Sequence, residues 1–356
     1  MHNRYLTGQH GGKALPIQFT GLTTGYRDRK QTRIISRNLS GQVTEGELVF
    51  LMGPNGCGKS TLMNSLSGII PKIEGEVRLA GKRIEEVTAR ERARLISLVL
   101  TDRITAPQLR VSEVIEVGRY PYVGALGHLS LEDKEIIHEA IKQCRLEGYG
   151  ERFFVELSDG EKQRVMMARA YAQETPVMLL DEPTAHLDLP SRLEVMTTLH
   201  ALTRTTTRCV IICTHELDLA LQWADRLWLM DREGQLHIGA PEDHILSGTV
   251  EKIFGNENLS FDQMRGEFFV QSDAAKSISI NGPAGLRLTW TLHALQRVGY
   301  HTELVEYGAT LQVKEDGWVY NGEVYGSLYS LLADLGKDFS KNEANTIVQE
   351  SDHEHQ

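Results

Sequence analysis

One stretch constrains this chain more than any other: Gly53-Pro54-Asn55-Gly56-Cys57-Gly58-Lys59-Ser60. It fits G-x-x-x-x-G-K-[ST], follows the apolar run 49–52 and precedes a helical pattern over 60–66. That strand, loop and helix order is the context a phosphate-binding loop requires. Glycines let backbone N–H groups wrap a phosphate, and the helix N-terminus adds positive potential. Lys59 reaches the outer phosphates, Ser60 can ligate Mg²⁺, and Thr61 continues the nucleotide contact.

The surroundings of the loop predict an α/β domain with a largely buried sheet. From Ile17 to about Gly255, short β-branched or apolar runs alternate with amphipathic stretches. Runs 49–52, 177–181 and 210–213 read as core strands. Segments 17–22, 34–43 and 76–80 read as antiparallel strands divided by glycine turns, so the sheet is mixed. Between about Leu109 and Gln173 the pattern is helical, notably over 131–146 and 161–173. After Gly255 the chain turns polar and glycine-punctuated. It then resumes with a strand at 268–271, a helix at 286–298, a hairpin over 303–313 and a helix at 325–335. This makes a small α+β unit near the lower size limit for independent stability. The expected division is an ATP-binding domain over 1–260 with a helical subdomain at about 103–173, a C-terminal domain over 261–337, and a disordered acidic tail over 338–356.

Composition removes several classes. A chain of 356 residues can bury a sizeable core without disulfide staples, and its four cysteines have no paired spacing, which points to reduced thiols rather than a secreted framework. The balance of 38 basic and 48 acidic residues, net −10, supplies no basic field for a long nucleic acid. Residues 1–15 hold no apolar run of signal-peptide length, and nowhere do enough apolar residues follow one another to span a bilayer. The chain can still dock on a protein that does.

Two further segments carry chemistry. The apolar run 177–180 ends in Asp181 and Glu182, placing one carboxylate where it can hold Mg²⁺ and a second where it can polarise the water that attacks a γ-phosphate. Leu157-Ser158-Asp159-Gly160-Glu161-Lys162-Gln163-Arg164 opens a helix shortly before that strand, with a serine and a glycine at a helix N-terminus suited to an anion.

In this order the motifs resemble the ATP-binding subunit of an ABC transporter, whose signature Leu-Ser-Gly-Gly-Gln falls at this point. The resemblance covers Ile17 to about Gly255. It implies that Tyr26 stacks on adenine, that Glu182, His215 and Lys59 are catalytic, and that Ser158, Asp159, Gly160 and Asp188 reach the ATP of a partner subunit. Asp188 sits in the loop Thr184-Ala185-His186-Leu187-Asp188, and His215 follows the strand 210–213 as the switch histidine. The cofactors implied are ATP and Mg²⁺. The partners implied are a second copy, membrane permease subunits and, indirectly, a substrate-binding protein. The implied place is the cytoplasmic face of the cell membrane.

Two positions depart from the family pattern. Where a glutamine usually follows the strand 95–100, this chain has Thr101-Asp102, whose oxygens are expected to replace it at the metal. Asp159 replaces the first signature glycine and brings a carboxylate toward a phosphate. The stretch Gly118-Arg119-Tyr120-Pro121-Tyr122 resembles ATPases of importers for iron–siderophore complexes, haem and cobalamin, where it faces the permease. The alternative reading is a soluble ABC-type ATPase in cofactor assembly, repair or translation.

Overall fold

The computed structural model describes residues 14–27, 31–100, 108–124, 127–256, 258–270 and 276–336. These described residues divide into two compact units, one drawn from 14–256 with 261–268 and one from 258–260 with 269–336.

The first unit is built on a six-stranded sheet. Its order is Leu236–Gly239, Arg226–Met230, Leu48–Met52, Cys209–Cys213, Val177–Asp181 and Ile96–Val99, with all pairings parallel except the first. A second, antiparallel sheet runs Thr32–Val43, Ile17–Arg27, Glu74–Leu79 and Lys82–Arg83. The central strands are apolar throughout except at Asp181, the partly buried end of Val177–Asp181, because both faces are covered. Side chains alternate across a strand, so Val49, Leu51, Val177, Leu179 and Ile211 join the core shared with the antiparallel sheet. Phe50, Met52, Met178, Leu180 and Ile212 enter the core shared with the helices. Phe19 and Trp228 meet edge to face at 5.4 Å and link the two sheets.

The helical part of this unit carries Val111–Glu116, Leu131–Gln143 and Asp159–Ala172. Its hub is Arg119, 4% exposed, whose Nε donates to Asp133 Oδ1 at 2.8 Å and whose Nη1 donates to Ala172 O and Glu174 Oε2, each at 2.8 Å. Tyr122 lies under the Arg119 guanidinium and donates to Gln173 O at 2.9 Å. Gly118 is obligatory here, since a Cβ would fall 2.3 Å from Arg169 O. Within 118–122, Gly118, Arg119 and Tyr122 are therefore internal packing, while Tyr120 is 65% exposed.

The second unit is a five-stranded sheet ordered Tyr300–Leu304, Lys276–Asn281, Leu311–Val313, Trp318–Tyr320 and Glu323–Tyr325. Its helices are Leu286–Arg297 and 328–336. The hairpin expected over 303–313 does not form. Tyr300–Leu304 and Leu311–Val313 each pair in parallel with Lys276–Asn281, one on either side. A helix between two strands forces a parallel crossover, and that crossover places Tyr300–Leu304 beside Lys276–Asn281. Tyr325 closes the last strand, so the final helix starts later than its apolar pattern suggests. Ile278, Ile280, Leu288, Leu295, Leu311 and Leu331 form a separate core, pinned by a bond from Trp318 Nε1 to the buried Thr291 Oγ1 at 2.7 Å.

Near the expected boundary, 258–260 group with the second unit and 261–268 with the first. Phe261 and Phe268 lie 4.9 Å apart, and Phe268 meets Phe254, so 261–268 fold with the first unit. The expected tail at 338–356 lies outside the described residues.

Candidate active site

The phosphate loop is held by sterics that only glycine satisfies. Gly58 has φ +112° at the start of the helix Lys59–Leu66, and a Cβ there would lie 2.7 Å from Ile35 Cγ2. Gly53 has φ +153°, with Met230 O 2.2 Å from where a Cβ would be. Lys59 Nζ folds back over the loop, donating to Gly53 O at 2.8 Å and Pro54 O at 3.1 Å. Burial pushes the Cys57 thiol above its usual range, which keeps it neutral beside the ammonium. Tyr26, half exposed near the end of the strand Ile17–Arg27, places its Oη 3.4 Å from Thr61 Oγ1.

A cavity of about 410 Å³ opens over this loop. It is lined by Asn55, Gly56, Gly58, Lys59, Ser60 and Thr61 of the loop and helix start, by Ile35, and by the strand-end residues Asp181, Glu182 and Cys213. Asp181 is in register with Cys213 on the neighbouring strand. Burial, and then the charge of Asp181, raise the Cys213 thiol, so it too stays neutral.

Glu182 has φ +49°, a left-handed backbone that is unfavourable for a residue with a Cβ. Its N–H donates to Cys213 O at 2.8 Å, which fixes the turn out of the strand. Both carboxylate oxygens are then engaged. Oε1 lies 3.0 Å from His215 Nδ1, and Oε2 accepts from Thr214 Oγ1 at 3.3 Å. A carboxylate oriented by a hydroxyl and an imidazole, next to a phosphate-sized cavity, can accept a proton from an attacking water.

The remaining predicted residues form a second group that does not line this cavity. Ser158 caps the helix Asp159–Ala172, and Gly160 packs so that an added Cβ would stand 3.0 Å from Ser191 Oγ. Asp188 caps the helix Leu189–Thr205 by accepting from Ser191 N at 3.1 Å, and hydrogen bonds from Ser191 hold its carboxyl low. Ser158, Asp159, Gly160 and Asp188 are thus neighbours of one another, and Lys59 is not among them. Thr101 and Asp102 lie outside the described residues.

Two features escape a reading by motif. Thr184 Oγ1 donates to Glu216, which also pairs with Arg192 at 2.6 Å, while Arg192 Nε donates to Leu187 O at 2.9 Å. This clasp ties the 184–188 loop to the segment carrying His215. The second is Glu161, where the signature has a glutamine. It completes a capping box, receiving the Ser158 hydroxyl and N–H at 2.8 Å each. The spacing Ser-x-x-Glu was there to be read. Hydrogen bonds from the Ser158 backbone, then from its hydroxyl, hold the Glu161 carboxyl below its usual range.

The comparisons with known proteins agree with this geometry. The ABC transporter family profile matches residues 36–185. The petrobactin import ATP-binding protein of Bacillus anthracis is 35% identical over 68% of this chain and 90% of its own. This chain belongs to the ABC transporter ATP-binding family. The ferric enterobactin transport ATP-binding protein of Escherichia coli is 33% identical over 68% of this chain and 88% of its own. Among solved structures, an ATP-binding cassette dimer in a post-hydrolysis state with ADP and Pi superposes with TM-score 0.56 at 27% identity, covering 63% of this chain and 98% of the other.

The protein is accordingly an ABC-type ATPase, an α/β cassette with a small C-terminal α+β unit. It binds nucleotide. No helix among the described residues is long and apolar enough to cross a membrane.

Proposed function

We propose that this protein is the ATP-hydrolysing subunit of a membrane importer for a metal chelate, an iron–siderophore complex or the related chelates haem and cobalamin. It works as a head-to-tail homodimer docked on permease subunits at the cytoplasmic face of the membrane, with a substrate-binding protein delivering cargo from the other side. The names of its relatives, both import or transport ATP-binding proteins for iron chelators, support this reading over a soluble ATPase.

The observation that carries the catalytic part is Glu182, turned out of its strand beside the phosphate loop with its carboxylate set by Thr214 and His215. In the proposed mechanism Lys59 leaves the Gly53 and Pro54 carbonyls for the β- and γ-phosphates, while the loop N–H groups hold their oxygens. Tyr26 stacks on the adenine. Glu182 takes the proton of the attacking water, and His215 contacts the γ-phosphate and keeps Glu182 aligned. Ser60 and Asp181 line the same cavity and offer hard oxygens, a set that fits Mg²⁺, which would neutralise phosphate charge. Ser158, Gly160 and Asp188 of one subunit complete the site of the other.

Affinity purification from membranes, followed by ATPase assay of the isolated and the complexed subunit, tests this. Recovery with a permease that stimulates hydrolysis is the expected result; recovery only with soluble partners overturns the importer reading.

A further inference from the structure

Glu182 belongs to a closed ring of contacts whose far side is the carboxylate of Glu216. Thr214 Oγ1 donates to Glu182 Oε2 at 3.3 Å and accepts from the Glu216 N–H at 3.2 Å. A hydroxyl carries one hydrogen, and an N–H arriving at its lone pair leaves that hydrogen to point at the carboxylate. The Glu216 side chain, 11% exposed, accepts in turn from Thr184 Oγ1 and pairs through Oε1 with Arg192 Nη1 at 2.6 Å. From Thr184 the chain itself leads back to Glu182, and the Ala185 N–H closes that turn by donating to Glu182 O at 3.1 Å.

The ring joins two segments. On one side is 182–188, with left-handed backbone at Glu182 (φ +49°) and His186 (φ +64°), conformations that persist where surrounding contacts over-determine them. On the other is 214–216, where the Thr214 N–H donates to Leu51 O at 3.2 Å and His215 sits between two anchored neighbours. Thr184 is 1% exposed, and the Glu216 carboxylate satisfies its buried hydroxyl. Arg192 extends the grip along the first segment, since its Nε donates to Leu187 O at 2.9 Å.

We propose that Glu216 is a positioning residue for ATP hydrolysis. Gripped by Thr184 and Arg192, it fixes the 214–216 segment so that Thr214 and His215 keep the Glu182 carboxylate aimed at the attacking water. The role rests on the reading of Glu182 as the general base. Glu216 does not line the phosphate cavity and acts through Thr214. Loosening the clasp therefore lets the base turn while the phosphate loop keeps its shape, so the chemical step slows and nucleotide affinity stays.

The test uses the full chain and compares Thr184→Val, Thr184→Ser and Glu216→Gln with the parent. Valine keeps the shape of threonine and removes the hydroxyl; serine keeps the hydroxyl and removes the methyl. Glutamine at 216 leaves one acceptor oxygen for two donors. Thr184→Val and Glu216→Gln lower single-turnover hydrolysis by about tenfold or more, the scale of a slightly misplaced catalytic group, with Mg-ATP affinity within about twofold of the parent. Thr184→Ser recovers most of the rate. In a Glu182→Gln background the same substitutions slow hydrolysis no further, because a residue that acts through the base has nothing left to aim.

A packing role gives the reverse order, with valine tolerated better than serine, or affinity falling with the rate, or losses that persist without the base; each of these overturns the positioning role. So do parent-like rates in both Thr184→Val and Glu216→Gln when Glu182→Gln is strongly impaired, a result that leaves the base reading standing. Near wild-type hydrolysis in Glu182→Gln overturns the base reading itself, and the role of Glu216 with it.

Discussion

The imidazole Nδ1 of His215 stands 3.0 Å from Glu182 Oε1, joining the ends of two adjacent parallel strands across the rim of the phosphate cavity. Sequence separates the two residues; the strand pairing Asp181 to Cys213 brings them together. The pair orients the Glu182 carboxylate, because Thr214 holds its other oxygen.

Replacing Glu182 by glutamine keeps the shape of the side chain and one acceptor oxygen, and removes the base. We expect kcat for ATP hydrolysis to fall by at least about 100-fold, the lower bound for losing a general base, while Mg-ATP binding persists. Lys59→Ala should instead lose nucleotide affinity. Single-turnover hydrolysis alongside equilibrium binding decides the matter; near wild-type turnover in Glu182→Gln removes the residue from the proposed role.

Gly58→Ala should fail for a backbone reason. The substitution imposes a Cβ at φ +112°, 2.7 Å from Ile35 Cγ2, at a cost of about 1–3 kcal/mol plus displacement of the loop. Loss of ATP binding accompanied by a lower Tm is the expected signature in calorimetry, whereas Gly56→Ala, with open space around its Cβ position, carries only its φ +82° strain.

Arg119 is the stability hinge of the helical part. Arg119→Ala leaves the Asp133 carboxylate, 7% exposed, without its guanidinium and should cost about 3–5 kcal/mol. Burial by itself would raise the Asp133 carboxyl, but hydrogen bonds from Ser130 and Arg119 outweigh it and hold it below the usual carboxylate range. The stability this pair lends is present above the ordinary Asp pKa and is lost as pH falls below it. Denaturant titration of Arg119→Ala, Asp133→Asn and the double variant measures the coupling; additive losses would mean the two do not interact.

His244, 5% exposed, lies with Nε2 3.3 Å from Leu227 O, and burial lowers its pKa below the usual histidine value. Its folded pKa is depressed, so the unfolded chain takes up the proton first as pH falls. Stability from this site is full above the unfolded value and declines as pH falls through it toward the folded one. Between about pH 7.5 and about pH 5.5, the window of histidine titration, Tm should therefore drop less in His244→Gln than in the wild type. Equal slopes in scanning calorimetry would assign the acid sensitivity elsewhere.

The unit boundary gives a fifth test. Ending the chain after Phe268 keeps Phe261 and Phe268 on the core of the first unit and should preserve ATP binding. Ending it before Phe261 strips that packing, about 1.5–3 kcal/mol for the buried Phe261 alone, and should lower Tm. Two truncations that melt alike would contradict the assignment of 261–268.

Local chemistry made part of this protein legible. The apolar runs around Phe50, Leu179 and Ile211 are buried on both faces, and that burial writes itself into sequence as an unbroken hydrophobic stretch. The phosphate loop is equally local, since one strand, one turn and one helix start make it. The C-terminal unit was harder, because its strands are short and half polar. Lys276–Asn281 alternates correctly, with Ile278 and Ile280 inward, yet which strands flank it is decided by a crossover that no window around Glu303 or Leu311 contains.

What the sequence alone determined is therefore the phosphate loop, the acidic strand end, the buried strands and the family, all carried by neighbours along the chain. Tertiary structure alone decided three things. It set the Glu182 carboxylate between Thr214 and His215, closed the Thr184–Glu216–Arg192 clasp, and turned Arg119 inward, away from the surface its motif suggested. Each depends on contacts between residues far apart in sequence, and a side chain's direction and partners are fixed by packing around it, which no local pattern encodes.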